Sequence, residues 1–197
     1  RITTEGKMQQ SYESTRCSQL KASASMAVLK GIADDGGLYV MRNLENKKVK
    51  LEDMMNKSYV EMAEMILKEM LDDFSEEEIK DCVSKAYTNK FSTQDITPLV
   101  KVDNCYITEL FHGPTSAFKD VALSILPHLM TSSYEMNQVE GEIIILTATS
   151  GHTGKAALEG FKDVNKTKIA VFYPEGGVSQ VQMAQMVTLY HCSHRTI

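Results

Sequence analysis

The sequence predicts an α/β fold with a parallel sheet in its second half, preceded by a mainly helical region. The main observation is an ordered series of elements: an apolar strand at 142–148, the turn SGHTG, a helix at 155–164 and a second apolar strand at 168–173. A strand, a helix and a strand in this order form a βαβ unit with parallel strands. Both strands are continuous apolar runs, so we expect helices to cover both faces of their sheet.

Apolar residues at helical spacing indicate that helices dominate the first half of the chain. The predicted helices lie at 22–32, 51–71 and 79–87. Ser75 and Glu78 have the spacing of a capping box, which predicts where the third helix begins. The break DDGG precedes a short predicted strand at 38–40.

The second half contains further elements on either side of the βαβ unit. They are a strand at 105–110, a helix at 121–130 that Pro127 interrupts, and a helix at 179–188. The change of pattern near residue 95 predicts two domains, a mainly helical one at 1–95 and the first part of an α/β domain at 96–197.

The composition limits the classes of partner and compartment. With 43% hydrophobic residues the 197-residue chain can bury a core, and its net charge of −5 gives no electrostatic reason to expect nucleic acid. The longest purely aliphatic run, 143–146, is far shorter than the roughly 20 residues that span a bilayer, so no membrane segment is expected. The N-terminus has no apolar signal region and the cysteines form no C-x-x-C pair, which favours the cytoplasm.

One group of potential metal ligands stands at the end of the chain: His191, Cys192 and His194. Three potential ligands at the end of a chain arise easily by chance. No metal site is therefore predicted.

The segment LTATSGHTG combines features of an anion-binding loop. In open α/β sheets ligands bind beyond the carboxyl ends of the strands, where loops lead into helix N-termini. Hydroxyls come from Thr147, Thr149, Ser150 and Thr153, and close backbone approach is possible at Gly151 and Gly154. The loop predicts a site for a carboxylate or phosphate, while the same residue types also cap helices without any ligand.

The segment FHGPTSAFKD at 111–120 places Lys119 between Phe118 and Asp120. Two interpretations of this lysine remain open. Desolvation next to an apolar helix would make its amine a nucleophile and base. Alternatively, the ammonium extends to the surface and pairs with Asp120.

Taken together, several motifs resemble the threonine synthase family of pyridoxal-phosphate enzymes, which has the tryptophan synthase β-like fold, fold type II. FHGPTSAFKD is followed after a strand by TATSGHTGKAALEGF, and YESTR, AVLKGIADDGGLYV and VFYPEGGVSQVQ also resemble segments of this family. The resemblance runs in order from Tyr12 to about Thr188. It implies an N-terminal domain followed by an incomplete cofactor-binding domain, with a sheet edge and an apolar face left uncovered.

The resemblance also implies the site residues. Lys119 would form the Schiff base with pyridoxal 5'-phosphate and act as the catalytic base, with Phe118 and Thr149 also at the cofactor. The substrate-binding residues would be Ser150, Gly151, His152, Thr153, Gly154, Ser14, Thr15 and Arg16. His152 stands where the family usually has an acidic or amide residue.

The implied reaction converts O-phospho-L-homoserine and water into L-threonine and phosphate. Two alternatives remain open: a related phospholyase that releases a 2-oxo acid, and a non-catalytic chain that binds the cofactor or a ligand. The implied partner is the small-molecule substrate, with the chain as a monomer or a homodimer.

Overall fold

The computed structural model describes residues 10–149 and 151–188, which form two compact units. The first unit extends to Lys85 and also contains Leu129–Val139. The second comprises Ala86–His128 and the chain from Glu140 onward. The two units thus interleave along the chain, and the single boundary near residue 95 stays a prediction.

The first unit contains a small antiparallel sheet and several helices. Its elements up to residue 46 are β1 (Tyr12–Ser14), β2 (Lys21–Ala22), α1 (Ala24–Lys30), β3 (Tyr39–Met41) and a 3₁₀ helix (Leu44–Asn46). The strands lie in the order β2-β1-β3, so the first three residues of the YESTR segment form the central strand. The predicted helix and the predicted strand of this region are confirmed as α1 and β3, whereas β1 and β2 were not predicted.

The predicted single helix at 51–71 is wrong, because the chain forms two helices there. They are α2 (Leu51–Met54) and α3 (Tyr59–Met70), separated by a turn in which Asn56 has a φ of 62°. Ser58 starts α3 with a capping box: its hydroxyl accepts from the Glu61 N–H, and the Glu61 carboxylate accepts from the Ser58 N–H at 2.8 Å. This second helix start outweighs the continuous apolar spacing.

The predicted capping box at Ser75 and Glu78 is confirmed. The Glu78 carboxylate accepts from the Ser75 N–H at 2.7 Å, directly before α4 (Glu76–Tyr87). Helix α4 contributes Ile79, Cys82 and Val83 to the buried core of the first unit.

The second unit contains a hairpin and the predicted βαβ unit. Its elements are β4 (Leu99–Val102), β5 (Cys105–Thr108), α5 (Asp120–Leu123), the start of α6 (Leu126–Met136), β6 (Ile143–Ala148), α7 (His152–Gly160), β7 (Thr167–Phe172) and α8 (Gln180–Thr188). Strands β6 and β7 are parallel, which confirms the βαβ prediction. The predicted interruption by Pro127 is also confirmed, because α5 ends at Leu123 and α6 begins at Leu126.

The β6-β7 sheet is covered on one face only, within the part of the chain that the structure describes. Helix α7 packs closely on the covered face, where a Cβ added at Gly154 would lie 2.8 Å from Val171 Cγ1. On the other face Ile144, Leu146 and Phe172 are 65%, 69% and 50% exposed. The prediction of helices on both faces is therefore wrong for the described residues. The uncovered apolar face agrees with the other expectation for this sheet, the one drawn from the family resemblance.

Helix α7 also packs closely against α5. A Cβ added at Gly160 would lie 2.1 Å from the Leu123 carbonyl oxygen, so this contact requires glycine. Ala156, Ala157 and Leu158 of α7 are buried. This packing places the start of α5, with Lys119, beside the helix that begins at SGHTG. Among the described helices, none combines the length and the apolarity needed to cross a membrane.

Candidate functional site

The lysine loop, residues 111–120, is held in shape by the carboxylate at its end. Asp120 is only 3% exposed, and it accepts from the Thr115 N–H at 2.8 Å and from the Thr115 hydroxyl at 2.6 Å. A Cβ at Gly113 would lie 2.4 Å from the same carboxylate, so glycine is needed where the loop passes it. The loop therefore has a defined conformation just before Lys119.

Lys119 itself lies at the N-terminal end of α5 and is half-buried. Its Nζ lies 4.8 Å from the centre of the Phe118 ring, and that ring is 62% exposed. No hydrogen bond or ion pair joins this Nζ to another of the residues that the structure describes. The Asp120 carboxylate bonds Thr115, and no ion pair between Lys119 and Asp120 is seen in the described part of the chain; the role of Lys119 stays a prediction. A half-buried amine beside an aromatic face is available for covalent chemistry.

The carboxylate loop, residues 149–154, ends at the N-terminus of α7. The Thr149 hydroxyl oxygen accepts from the Gly151 N–H at 3.1 Å and from the Gly154 N–H at 3.2 Å. Gly151 has a φ of 130°, in the region that favours glycine. The N–H groups of His152 and Thr153 have no acceptor among the described residues, so they can bind an anion at the positive end of the helix. The predicted Ser150 lies outside the described residues.

Sequence reasoning missed Gln182, which packs against this loop from α8. Its side-chain oxygen accepts from the Ser179 N–H at 3.1 Å, and its Nε2 lies 3.2 Å from Nδ1 of the exposed His152 ring. A Cβ added at Gly151 would lie 2.6 Å from the Gln182 oxygen. The spacing of Ser179 and Gln182 is that of a capping box, which was the available signal in the motif VFYPEGGVSQVQ.

Lys155 is a second residue that sequence reasoning missed, and it connects the two loops. It is 7% exposed, and its Nζ donates to the Thr115 carbonyl oxygen at 2.7 Å and to Gln185 Oε1 at 3.2 Å. Thr115 belongs to the lysine loop and Lys155 to the helix that begins at the carboxylate loop. The structure thus brings the two predicted motifs together within the second unit.

The other three predicted substrate-binding residues, Ser14, Thr15 and Arg16, belong to the first unit. Ser14 Oγ donates to the Asp35 carboxylate at 2.7 Å, and the Arg16 guanidinium donates to the Asp35 carbonyl at 3.1 Å. Thr15 Oγ1 accepts from the Leu38 N–H at 3.0 Å. All three side chains hold the ADDGGL turn in place. Their approach to a substrate stays a prediction.

Replacing Ser14 with alanine is expected to raise the pKa of Asp35 toward its ordinary value. The Ser14 hydroxyl bond, followed by the Gly37 N–H bond, lowers the pKa of this carboxyl in the folded chain. A lowered folded-state pKa stabilises the fold above the ordinary pKa of roughly 3.9, and this stabilisation is lost as the pH falls through the lowered value. The destabilisation caused by Ser14→Ala should therefore shrink under acidic conditions.

NMR titration of the Asp35 carboxyl carbon measures this directly. Thr15→Val is the matched control, because Thr15 bonds Leu38 rather than Asp35. An Asp35 pKa that is the same in the wild type and in Ser14→Ala would contradict the assignment of the hydroxyl bond.

The potential metal ligands His191, Cys192 and His194 lie outside the described residues. Within residues 10–149 and 151–188, no group of three or more His, Cys, Asp or Glu side chains is arranged to hold a metal ion.

The family described as "Threonine synthase N terminus" matches residues 11–87. Threonine synthase of Saccharomyces cerevisiae is 34% identical over an alignment of 196 positions, and the match covers 91% of this chain and 38% of the yeast protein. Threonine synthase-like 1 of Homo sapiens is 37% identical over 174 residues, covering 83% of this chain and 23% of the human protein.

Solved structures match as well. The crystal structure of a threonine synthase from Brucella melitensis, described as bound to pyridoxal phosphate, has a TM-score of 0.81 and 36% identity; the match covers 90% of this chain and 38% of that one. The match confirms the predicted fold class, an α/β fold of the type II pyridoxal-phosphate enzymes. The chain spans about 38% of the length of the threonine synthases it matches.

Proposed function

We propose that this chain, which is homologous to the N-terminal part of threonine synthases, supplies the cofactor-bearing lysine and the carboxylate-binding loop of such an enzyme. The reaction would convert O-phospho-L-homoserine and water into L-threonine and phosphate, a step of threonine biosynthesis. The observation that carries the proposal is the juxtaposition of two features in one unit. Lys119 provides an amine without an acidic partner among the described residues. Lys155 connects its loop to helix α7, whose first two N–H groups have no acceptor in the described part of the chain.

The residues present fit pyridoxal 5'-phosphate. An aldehyde needs a primary amine, and Lys119 Nζ is such an amine, with the Phe118 ring beside it. The carboxylate of a substrate held beside that cofactor needs donors, and the N–H groups of His152 and Thr153 have no acceptor among the described residues at the start of α7. Thr149 adds a further donor, because its oxygen accepts two N–H bonds while its own hydrogen has no acceptor within the described part of the chain. When bound, the cofactor supplies an electron sink for charge that develops at the substrate α-carbon.

In this proposal each part of the chain has a defined task. The N–H groups at the start of α7 bind the substrate carboxylate and orient the α-carbon toward the lysine loop. Lys119 Nζ then takes the α-proton and returns a proton later in the reaction. His152 lies at the rim of the same helix end, where its contact with Gln182 sets the position of its ring.

Product analysis tests the proposal and separates its alternatives. The chain is incubated with pyridoxal phosphate and O-phospho-L-homoserine, and threonine, phosphate and 2-oxo acids are quantified. Threonine and phosphate in equal amounts are the expected products. A 2-oxo acid with phosphate would identify a phospholyase. Cofactor bound at Lys119 without turnover would identify a non-catalytic binding chain.

Two other expectations accompany this function. The cytoplasm stays the predicted compartment, and a monomer or homodimer stays the predicted assembly. A small-molecule substrate is the partner that the proposed reaction requires.

A further inference from the structure

We propose that Lys155 is a positioning residue that locks the lysine loop onto helix α7 and so fixes Lys119 relative to the carboxylate loop. The structural part of this proposal stands on the geometry alone. Its consequence for chemistry rests on the proposed function.

The position of Lys155 is unusual for a lysine, because its side chain is almost fully buried. It is 7% exposed, and the next three residues of α7, Ala156, Ala157 and Leu158, are also buried. Burying an ammonium group is costly unless its donors find partners. Lys155 Nζ finds two, the Thr115 carbonyl at 2.7 Å and Gln185 Oε1 at 3.2 Å. Both acceptors are neutral oxygens. The two hydrogen bonds therefore orient the Lys155 ammonium without an ion pair to any described residue.

Thr115 is hydrogen-bonded both through its carbonyl oxygen and through its N–H and hydroxyl groups. Its carbonyl oxygen accepts from Lys155, while its N–H and hydroxyl donate to the buried carboxylate of Asp120. The ammonium of Lys155 and the carboxylate of Asp120 thus both bond Thr115. We call Asp120, Thr115 and Lys155 the threonine clamp.

The threonine clamp joins two short stretches of chain, the end of the lysine loop and the first turn of α7. Lys119 follows Thr115 by four residues, at the N-terminal end of α5. The helix N-terminus at His152 precedes Lys155 by three residues, a rise of about 4.5 Å along an α-helix. Movement of Thr115 would therefore move the amine of Lys119 relative to the N–H groups of His152 and Thr153 at the start of α7. Gln185 extends the clamp to α8, the helix whose Gln182 contacts Gly151 and His152.

Hydrogen exchange measured by mass spectrometry tests the clamp without any cofactor. Lys155→Met removes the donors and the charge at similar length, and Lys155→Arg keeps both. Lys168→Met is the matched control, since Lys168 is an exposed lysine of β7 paired with Glu142. In Lys155→Met the amides of 113–120 should exchange ~10-fold faster or more, because a local hydrogen-bonded unit is released. Lys155→Arg and Lys168→Met should stay near the wild-type rate.

Borohydride trapping supplies the second readout. Pyridoxal phosphate is added, the adduct is reduced, and peptides are mapped. We expect selective labelling of Lys119 in the wild type, in Lys155→Arg and in Lys168→Met, with the Lys119 share reduced in Lys155→Met.

The outcomes separate the clamp from the proposed function. Unchanged exchange at 113–120 in a folded Lys155→Met variant overturns the clamp. If Lys155→Met unfolds throughout the second unit, the Lys155→Arg variant is the test. Faster exchange at 113–120 in Lys155→Arg, with β6 and β7 still protected, overturns the proposal. Exchange at the wild-type rate in Lys155→Arg supports it. Absence of a Lys119 adduct in the wild type would overturn the proposed function, while the exchange data would still decide whether the clamp exists.

Discussion

Replacing Lys119 with alanine is expected to abolish the reducible pyridoxal-phosphate adduct and any formation of threonine. The amine is the covalent attachment point in the proposed function, and in the same reaction it is the base that moves the α-proton. A positioned general base alone contributes about 10²–10⁴-fold to a rate, and the covalent attachment is lost in addition. Peptide mapping after borohydride reduction measures the adduct, and product analysis measures turnover.

Lys101→Ala is a close control for this experiment. Lys101 also lies over an aromatic ring, with its Nζ 6.0 Å from the centre of the Tyr106 ring, but it belongs to the exposed hairpin β4-β5. Its loss should leave the adduct at Lys119 unchanged. A Lys119→Ala chain that still carries a single, selective adduct elsewhere, or still forms threonine, would show that the cofactor amine has been assigned to the wrong lysine.

The βαβ unit could be predicted because its signals are local. Two apolar runs, a glycine-rich turn and a helical pattern all lie within 142–173, and each agrees with the others. The covering of the sheet could not be predicted in the same way. An apolar run shows that a strand can be buried, whereas burial depends on which segments pack against it, and the described chain leaves Ile144 and Leu146 exposed.

The same distinction applies to the candidate site. Lys119 and the SGHTG loop could be identified from motifs that each occupy a few consecutive residues. The role of Lys155 could not, because in the sequence it is one more residue of a helix and its acceptor, Thr115, lies forty positions earlier. The sequence allows Asp120 to pair with the neighbouring Lys119, whereas in the folded loop its carboxylate accepts from Thr115. Tertiary contacts, which no local pattern encodes, decide both cases.

Replacing Asp120 with alanine is expected to lower the free energy of unfolding by about 3 kcal/mol, a typical loss when one partner of a buried charged network is removed. The variant leaves the Thr115 N–H buried without its acceptor and removes a buried carboxylate that bonds the same residue as Lys155. Asp120→Asn should cost less, because an amide oxygen can still accept from the Thr115 N–H at 2.8 Å. Urea denaturation monitored by circular dichroism gives the free energies.

Glu175→Ala is the control, since Glu175 is an exposed acidic residue of the same unit and its loss should change stability little. The threonine clamp also predicts how the Asp120 and Lys155 substitutions combine. If Lys155 and Asp120 act on the same residue, the double variant Asp120→Ala, Lys155→Met should be less destabilised than the sum of the two single changes, because the second change removes a charge that the first has already left uncompensated. Strictly additive losses would mean that the two charges act independently, and Thr115 would then not be the point through which α7 holds the lysine loop.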